Sequence, residues 1–271
     1  MKEAYIALLD SGIGGISVLA FAKNILPREN FIYFADIKNA PYGDKSTKEV
    51  ASLVLKNVEY LNSFPLKALL LACNTATSAS VHILRKNLKI PVLGMEPALK
   101  PAIEDKKNQK AIIVMATDLT IKERKFCLLM DSLRKENGDR QIIPLACSGL
   151  MELIENDPLA QNTEEYLQNI LAPYQNIMGG IVLGCTHYVF LKNILQRLYP
   201  NLSIYDGNLG VSNNLLRILG KHHLLVDQKE DQKEILWLSS LEKENEKQIF
   251  NQKCLKYYDI AEKIFKDGIV L

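Results

Sequence analysis

The hydrophobic residues of this chain fall into short aliphatic runs, which alternate with longer segments whose apolar positions recur with a helical period. This alternation is typical of a largely parallel α/β sheet covered by helices. The helical period is clearest in residues 46–63, where Ser46 and Glu49 form a capping-box pattern before the apolar face. The predicted strands are Tyr5–Leu9, Phe31–Ala35, Ala68–Leu71, Val92–Gly94, Ala111–Met115, Gln141–Leu145, Gly180–Leu183, Ser203–Tyr205 and Ile235–Leu238.

The two halves of the chain repeat one pattern. In each half an aliphatic triplet is followed by a small residue, a cysteine and polar residues: LLLACNT in the first half and IVLGCTH in the second. Three such matches favour a duplication over the general likeness of all βα units. We therefore predict an α/β fold of two similar, open, mostly parallel domains related by pseudo-symmetry, with a ligand site in the cleft between them. The matched segments are 69–75 with 181–187, 6–12 with 112–118, and 91–97 with 202–208.

The predicted domain boundaries follow from this repeat. The first domain comprises residues 1–92 plus 207–271, and the second comprises residues 93–206. The C-terminal tail is richer in charge, as in QKEDQKE at 228–234, and is expected to form one strand and helices. Duplicated α/β proteins often return such a tail to the first domain, and the predicted boundaries follow that precedent.

Composition and charge exclude several classes of protein. The chain of 271 residues is 48% hydrophobic and 24% charged, which is ordinary for a globular protein. Lys and Arg number 33 against 31 Asp and Glu, so the formal net charge is +2. This balance supplies no basic stripe for nucleic acid and no polybasic patch for a membrane. We therefore expect no nucleic-acid partner and no membrane partner.

The five cysteines are Cys73, Cys127, Cys147, Cys185 and Cys254, and no two of them lie close together in the sequence. A zinc site usually contains a C-x₂₋₄-C pair, and a disulfide scaffold favours an even count in a short secreted chain. The apolar N-terminal stretch is interrupted by an aspartate and three glycines, which argues against a signal peptide. We expect reduced thiols, no metal and a cytoplasmic location.

Polar residues follow several predicted strands, at the edge of the sheet where open α/β proteins bind ligands. They include two cysteines, several carboxylates, hydroxyls and one histidine, but no lysine or arginine. The residues are Asp10, Ser11, Gly12, Asp36, Pro41, Tyr42, Gly43, Cys73, Asn74, Thr75 and Glu96 in the first half, and Thr117, Thr120, Glu152, Cys185, Thr186 and His187 in the second.

The segment DSGIGG at residues 10–15 predicts a glycine-rich turn between a strand and a helix. Backbone N–H groups exposed in such a turn can bind an anion. The segment matches neither G-x-G-x-x-G nor a P-loop, so a nucleotide phosphate is a poor fit. We favour a small carboxylate as the ligand, with an ordinary tight turn as the alternative.

Cys73 and Cys185 are the most specific functional signal in the sequence, because they occupy matched positions of the two halves. One such cysteine alone is more often a small buried hydrophobic residue than a nucleophile. Two thiols that face each other across a cleft can remove a proton from one face of a ligand and return one to the other. A thiolate needs a helix N-terminus or a neighbouring base, and His187 for Cys185 and Asp10 for Cys73 are the candidates. Cys127 lies in KFCLLM and is expected in the core.

Taken together, these residues closely resemble those of bacterial glutamate racemases, within the aspartate/glutamate racemase family. The motifs DSGIGG, PYG, CNT and GCTHY, in this order, carry the resemblance, which extends over most of the chain. The matching segments are 8–19, 33–46, 71–80, 94–102, 116–121, 150–155 and 182–191.

The resemblance implies a cofactor-independent interconversion of L- and D-glutamate, which supplies D-glutamate for peptidoglycan. It also implies a homodimer of two-domain subunits, each with its active site in the interdomain cleft. Cys73 would act on the D-enantiomer and Cys185 on the L-enantiomer, and Asp36 would lie near the site. The implied catalytic residues are Cys73, Cys185, Asp10, His187 and Glu152, and the implied substrate-binding residues are Asp10, Ser11, Pro41, Tyr42, Gly43, Cys73, Asn74, Thr75, Thr117, Thr120, Cys185, Thr186 and His187.

Two other hypotheses remain open from the sequence. The chain could be a two-domain binding protein for a small dicarboxylate, in which the thiols are structural. It could also be a cofactor-free racemase of another compound, such as aspartate or a hydantoin. Incubation with L-glutamate in deuterated water distinguishes a binding protein from an enzyme, because only an enzyme exchanges the α proton. A comparison of L-aspartate with L-glutamate distinguishes the two kinds of racemase.

Overall fold

The computed structural model describes residues 4–105, 110–122, 124–136, 140–226 and 234–266. Their strands form two sheets in which every neighbouring pair is parallel. The strands are β1 (Tyr5–Asp10), β2 (Asn30–Ala35), β3 (Leu66–Leu71), β4 (Val92–Gly94), β5 (Ala111–Ala116), β6 (Ile142–Ala146), β7 (Met178–Leu183), β8 (Ser203–Tyr205) and β9 (Ile235–Ser239). The first sheet has the order β4-β3-β1-β2-β9, and the second has the order β6-β5-β7-β8.

Helices connect the strands and cover both sheets, as parallel pairing requires. Short 3₁₀ segments lie at Ile37–Asn39, Tyr42–Asp44, Ala172–Tyr174 and Thr186–Leu191. The α-helices are α1 (Ile16–Ile25), α2 (Thr47–Leu61), α3 (Asn74–Asn87), α4 (Leu99–Glu104), α5 (Asp118–Lys122), α6 (Arg124–Glu136), α7 (Leu150–Asn156), α8 (Gln161–Leu171), α9 (Lys192–Leu198), α10 (Asn208–Lys221) and α11 (Glu244–Lys266).

The two sheets have the same internal order, which confirms the predicted pseudo-symmetry. Strands β4-β3-β1-β2 of the first sheet correspond to β8-β7-β5-β6 of the second. Both sheets even share a register shift, between Tyr5 and Ile6 in the β1–β3 pair and between Ala111 and Ile112 in the β5–β7 pair. The correspondence pairs β3 with β7 and β1 with β5, as the matched sequence segments predict.

The sequence also predicts the individual elements well. Each of the nine predicted strands is present, with ends that differ from the prediction by at most two residues. Helix α2 begins where the capping pattern predicts, because Ser46 Oγ accepts a hydrogen bond from the backbone N–H of Glu49 at 3.3 Å. Strong local signals such as aliphatic runs and caps therefore determine these elements.

The C-terminal part of the chain returns to the first sheet. Strand β9 pairs with β2, and helix α11 packs against α1. A buried ion pair between Lys67 and Glu29 helps to anchor this return, since Lys67 donates to the Leu224 carbonyl and Glu29 accepts from the Val226 N–H. The charge-rich segment 228–233 lies outside the described residues, and the exact domain boundaries stay a prediction.

Helix α1 lies in the centre of the molecule. Seven consecutive residues from its first turn onwards are buried, because α10, α11 and the segment Thr186–Leu191 enclose the helix. A helix that is apolar on all sides is expected in such a position. Its N-terminus lies where the two halves meet, and Ser17 Oγ donates to the Thr186 carbonyl at 3.3 Å.

The expectation that Cys127 lies in the core is wrong. Helix α6 buries Phe126 and Met130, which are four residues apart and share one face. Cys127 follows Phe126 by one position, points away from that face and is exposed.

Among the helices of the described residues, none combines the length and the apolar character that crossing a lipid bilayer requires.

Candidate active site

A cavity lies between the two halves, beyond the carboxyl ends of β1, β3, β5 and β7. This is the edge at which open parallel sheets bind their ligands. Both predicted thiols line this cavity, one from each half. The lining residues are Ser11, Tyr42, Gly43, Cys73, Asn74, Thr75, Thr117, Thr120, Met151, Gly184, Cys185, Thr186 and His187.

Nearly every predicted substrate-binding residue lines this cavity. The exceptions are Asp10, which is fully buried behind it, and Pro41, which precedes the lining residue Tyr42. Met151 and Gly184 line the cavity without having been predicted. Gly184 directly precedes Cys185, and Met151 lies on α7, whose approach to the cavity has no local signal in the sequence.

Cys73 ends the loop after β3 and is the N-cap of helix α3. Its sulfur accepts a hydrogen bond from the Ala76 N–H at 3.4 Å, and the Ser11 hydroxyl donates to it at 3.9 Å. Burial and the charge of Asp10 nevertheless raise the pKa of the Cys73 thiol to about 12. Cys73 is therefore a protonated thiol at neutral pH, with two donors in place for a transient thiolate.

Cys185 lies beside an imidazole that a carboxylate orients. Its sulfur is 3.8 Å from His187 Nδ1, and His187 Nε2 is 2.9 Å from Glu155 Oε1. Burial would lower the pKa of His187, but hydrogen bonds to Cys185 and Glu155 raise it to about 10. The imidazole is therefore protonated at neutral pH and presents a positive charge to the Cys185 sulfur.

Glu155, rather than Glu152, is the acidic residue that reaches this site. Helix α7 buries Leu150 and Ile154 on one face, and Glu155 follows Ile154 directly. Glu152 points away from the buried face of the helix, is exposed and does not line the cavity, so the structure places Glu155 and not Glu152 at His187. Burial opposes ionisation of Glu155, but the hydrogen bond and charge of His187 lower the pKa of this carboxyl to about 2. No local pattern in the sequence identifies Glu155, because its role depends on how α7 packs against the segment Thr186–Leu191.

Asp10 connects the two halves at the back of the cavity. Its Oδ1 accepts the Gly12 N–H at 2.9 Å, and its Oδ2 accepts the Thr186 hydroxyl at 3.3 Å. Complete burial raises the pKa of Asp10, although the charge of His187 opposes this shift. Within the part of the chain that the structure describes, Asp10 makes no hydrogen bond to Cys73, so it influences that thiol through its charge.

The glycine-rich turn allows the second half to approach the first. A side chain at Gly14 would place its Cβ closer than 3.0 Å to the His187 ring and the Thr186 hydroxyl. The turn therefore brings its backbone against two residues of the cavity wall. This close approach explains the glycine at position 14 without a nucleotide.

Asp36 lies outside the cavity and fixes Tyr42, which forms part of the cavity wall. This buried carboxylate accepts hydrogen bonds from the Tyr42 hydroxyl at 2.6 Å and from Asn57 Nδ2 at 2.8 Å. Tyr42 in turn lines the cavity together with Gly43. Asp36 thus acts on the cavity through Tyr42.

Hydroxyl groups from both halves meet on another wall of the cavity. Thr117 Oγ1 donates to Thr120 Oγ1 at 3.0 Å, and Thr75 Oγ1 lies 3.4 Å from the same oxygen. Asn74 Oδ1 is buried without a hydrogen-bond partner in the described part of the chain. The cavity therefore offers donors for carboxylates and a free acceptor for an ammonium group. No group of three or more described His, Cys, Asp or Glu side chains could hold a metal ion.

Comparison with known proteins agrees with this geometry. A sequence model of the Asp/Glu/Hydantoin racemase family matches residues 22–209. A glutamate racemase of Clostridium botulinum is 46% identical over 231 residues, which cover 84% of this chain and 88% of that protein.

Solved structures of similar proteins share the fold. A crystal structure of a Bacillus anthracis glutamate racemase has a TM-score of 0.80 at 29% identity, covering 95% of this chain and 96% of that chain. The Escherichia coli glutamate racemase, in complex with L-glutamate and the activator UDP-MurNAc-Ala, has a TM-score of 0.81 at 27% identity, covering 94% of this chain and 95% of that chain. The family match over most of the sequence, together with the close relative, shows that this chain belongs to the Asp/Glu/Hydantoin racemase family.

Proposed function

We propose that this protein interconverts L- and D-glutamate by two-thiol proton transfer at the α carbon, without a cofactor. The observation that carries the proposal is that Cys73 and Cys185 line one cavity from opposite halves of a pseudo-symmetric fold. The relatives named glutamate racemase support glutamate as the substrate.

The two thiols differ in a way that suits one acid and one base. The positive charge of His187 lies 3.8 Å from the Cys185 sulfur, whereas burial keeps Cys73 protonated. With L-glutamate, the Cys185 thiolate takes the α proton, and the electron pair of the broken C–H bond remains on the α carbon. Cys73 then gives its thiol proton to the opposite face of that carbon. The products are D-glutamate, a Cys185 thiol and a Cys73 thiolate, and D-glutamate reacts by the reverse sequence.

The cavity can bind the three charged groups of glutamate. The hydroxyls of Thr75 and Thr120 can donate to a carboxylate, whereas Thr117 donates its proton to Thr120. The backbone N–H groups of Asn74 and Thr75 at the start of α3 also suit a carboxylate. The free acceptor Oδ1 of Asn74 suits the ammonium group. None of the residues that line the cavity is a lysine or an arginine, so hydroxyls and N–H groups must supply the recognition of the carboxylates.

The proposal is tested by incubating the protein with L-glutamate in deuterated water. We expect D-glutamate to form with deuterium at the α carbon, measured by circular dichroism and by NMR. L-aspartate in place of L-glutamate should react far more slowly. Ligand binding without exchange would instead indicate a binding protein, and faster reaction of aspartate would indicate a different racemase.

Cysteine variants test the assignment of the two bases. Cys73→Ala and Cys185→Ala should each abolish racemisation while the circular-dichroism spectrum of the fold is retained. Cys127→Ala removes an exposed thiol that does not line the cavity and is the matched control, with activity close to that of the parent. Near-normal turnover of either cavity variant would refute the two-thiol mechanism.

The biological role and the assembly state belong to the same proposal. D-glutamate produced in this way would supply peptidoglycan synthesis. The protein is expected to form a homodimer, which sedimentation at several concentrations would reveal.

A further inference from the structure

Helix α11 brings a lysine to the far side of the Glu155 carboxylate. Lys253 Nζ lies 3.3 Å from Glu155 Oε2, while the other carboxylate oxygen contacts the imidazole of His187. Outwards from the cavity, the groups are therefore the Cys185 sulfur, the imidazole, the carboxylate and the ammonium group. Lys253 is not among the residues that line the cavity.

The position of Lys253 is set by the docking of α11. The helix buries Phe250, Cys254 and Tyr257 among other residues on one face. The Tyr257 hydroxyl donates to the carbonyl of Ile154, the residue before Glu155. The Tyr257 ring also packs edge to face against Phe190, with centroids 5.0 Å apart. The helix is thus attached both to α7 and to the segment that carries His187.

We propose that Lys253 is a positioning residue, which holds one oxygen of Glu155 so that the other oxygen keeps the His187 imidazole aimed at Cys185. This inference rests on the proposed function, because it assigns Lys253 to the Cys185 side of that reaction. It makes the C-terminal helix part of the proton-transfer apparatus, although the helix does not reach the cavity.

The partial exposure of the pair decides the size of the expected effect. The Lys253 side chain is 34% exposed and that of Glu155 is 26% exposed, so solvent screens their attraction but does not abolish it. At neutral pH, His187 and Lys253 are the charged groups in direct contact with Glu155. The other titratable groups that face the Glu155–His187 pair are Cys254 and Tyr257 of α11, Tyr33 of β2, and Asp10 and Cys185 beside the cavity.

The test is the variant Lys253→Met, which keeps the aliphatic stem and removes the charge. We expect kcat for glutamate racemisation to fall on the order of tenfold, because the imidazole is less firmly oriented. KM should stay unchanged, because Lys253 does not touch the cavity. Loss of the cation should also raise the pKa of His187 by roughly 0.2–0.7 units, as expected for a partly exposed ion pair. The titration is measured directly from the ¹⁵N NMR shifts of the imidazole.

Two further variants serve as controls. Lys253→Arg keeps the positive charge and should restore most of kcat and the parental titration of His187. Lys256→Met removes an exposed lysine three residues further along the same helix. This variant should change neither kcat nor the titration of His187. Thermal unfolding of each variant checks that α11 remains docked.

The outcomes separate this inference from the proposed function. An unchanged kcat and an unchanged His187 titration in Lys253→Met would overturn the role of Lys253, even if the parent protein racemises glutamate. A rise of KM at constant kcat would also overturn it. If the parent protein does not racemise glutamate, the proposed function fails, whereas the NMR titration still decides whether Lys253 acts on His187.

Discussion

Glu152 and Glu155 are three positions apart on helix α7, yet they have opposite environments. Glu155 contacts the imidazole of His187, and Glu152 is exposed to solvent. Residues three apart lie only about 60° apart around a helix, so the difference comes from how α7 packs against the segment Thr186–Leu191, which carries His187. The chemistry of each carboxylate therefore depends on what its helix packs against.

Substitution of the two glutamates by glutamine tests this difference at the level of single residues. Glu155→Gln should lower the pKa of His187 from its raised value near 10, because the carboxylate that stabilises the imidazolium is lost. We expect racemisation to fall on the order of 10²-fold, measured as kcat. Glu152→Gln should be close to the parent in activity. A reversed order of the two variants would contradict the assignment.

The turn between β1 and α1 shows how one element shapes the cavity. It places Ser11 at the cavity, lets Asp10 accept the Gly12 N–H, and leaves room at Gly14 for the His187 ring. Its glycines at the start of a helix resemble those of an anion-binding loop. In this protein the space at Gly14 is occupied by residues of the opposite half.

A glycine-to-alanine pair tests this role of the turn. Gly14→Ala would push a methyl group into His187 and Thr186, so we expect racemisation to fall by about 10²-fold or more. Gly210→Ala, in the exposed part of α10, meets no atom within 4 Å and is the matched control. It should retain activity and stabilise the fold by about 0.5–1 kcal/mol, measured by urea unfolding. Full activity of Gly14→Ala would show that the His187 ring can move without loss.

At the scale of the whole molecule, the C-terminal part of the chain returns to the first sheet. Strand β9 and helix α11 come after the second sheet in sequence but pack against β2 and α1 of the first. The buried pair of Lys67 and Glu29 lies at this return and also bonds to the backbone of residues 224 and 226.

Removal of one partner of that pair should destabilise the whole molecule. Lys67→Met leaves the Glu29 carboxylate buried without its cation, so we expect a loss of about 3–5 kcal/mol in the free energy of unfolding. The double variant Lys67→Met, Glu29→Leu should recover part of the loss, because no uncompensated charge remains. Lys100→Met, in an exposed pair, is the control and should leave the stability unchanged within error. Equal stability of the parent and Lys67→Met would show that the pair does not anchor the return.

Most of the fold and much of the site could be predicted from local patterns. The strands, the capped start of α2 and the duplicated order of strands all come from hydrophobic periodicity and short motifs. The cysteines of the cavity were predictable because matched strands in a duplicated fold end at equivalent edges. The expectations for Cys127 and Glu152 were wrong, because each depended on which face of a helix is covered.

The amino-acid order alone determined the strands, the repeat and the placement of two thiols at the ends of equivalent strands. These features depend on the alternation of apolar and polar residues that are close together in the chain. That alternation determines locally which side of a strand or helix is buried. Only the tertiary structure decided that Glu155 orients His187, that Asp36 holds Tyr42, and that Lys253, 98 positions beyond Glu155, contacts its carboxylate. Such contacts depend on how whole elements pack against one another, and no local period of the sequence encodes that orientation.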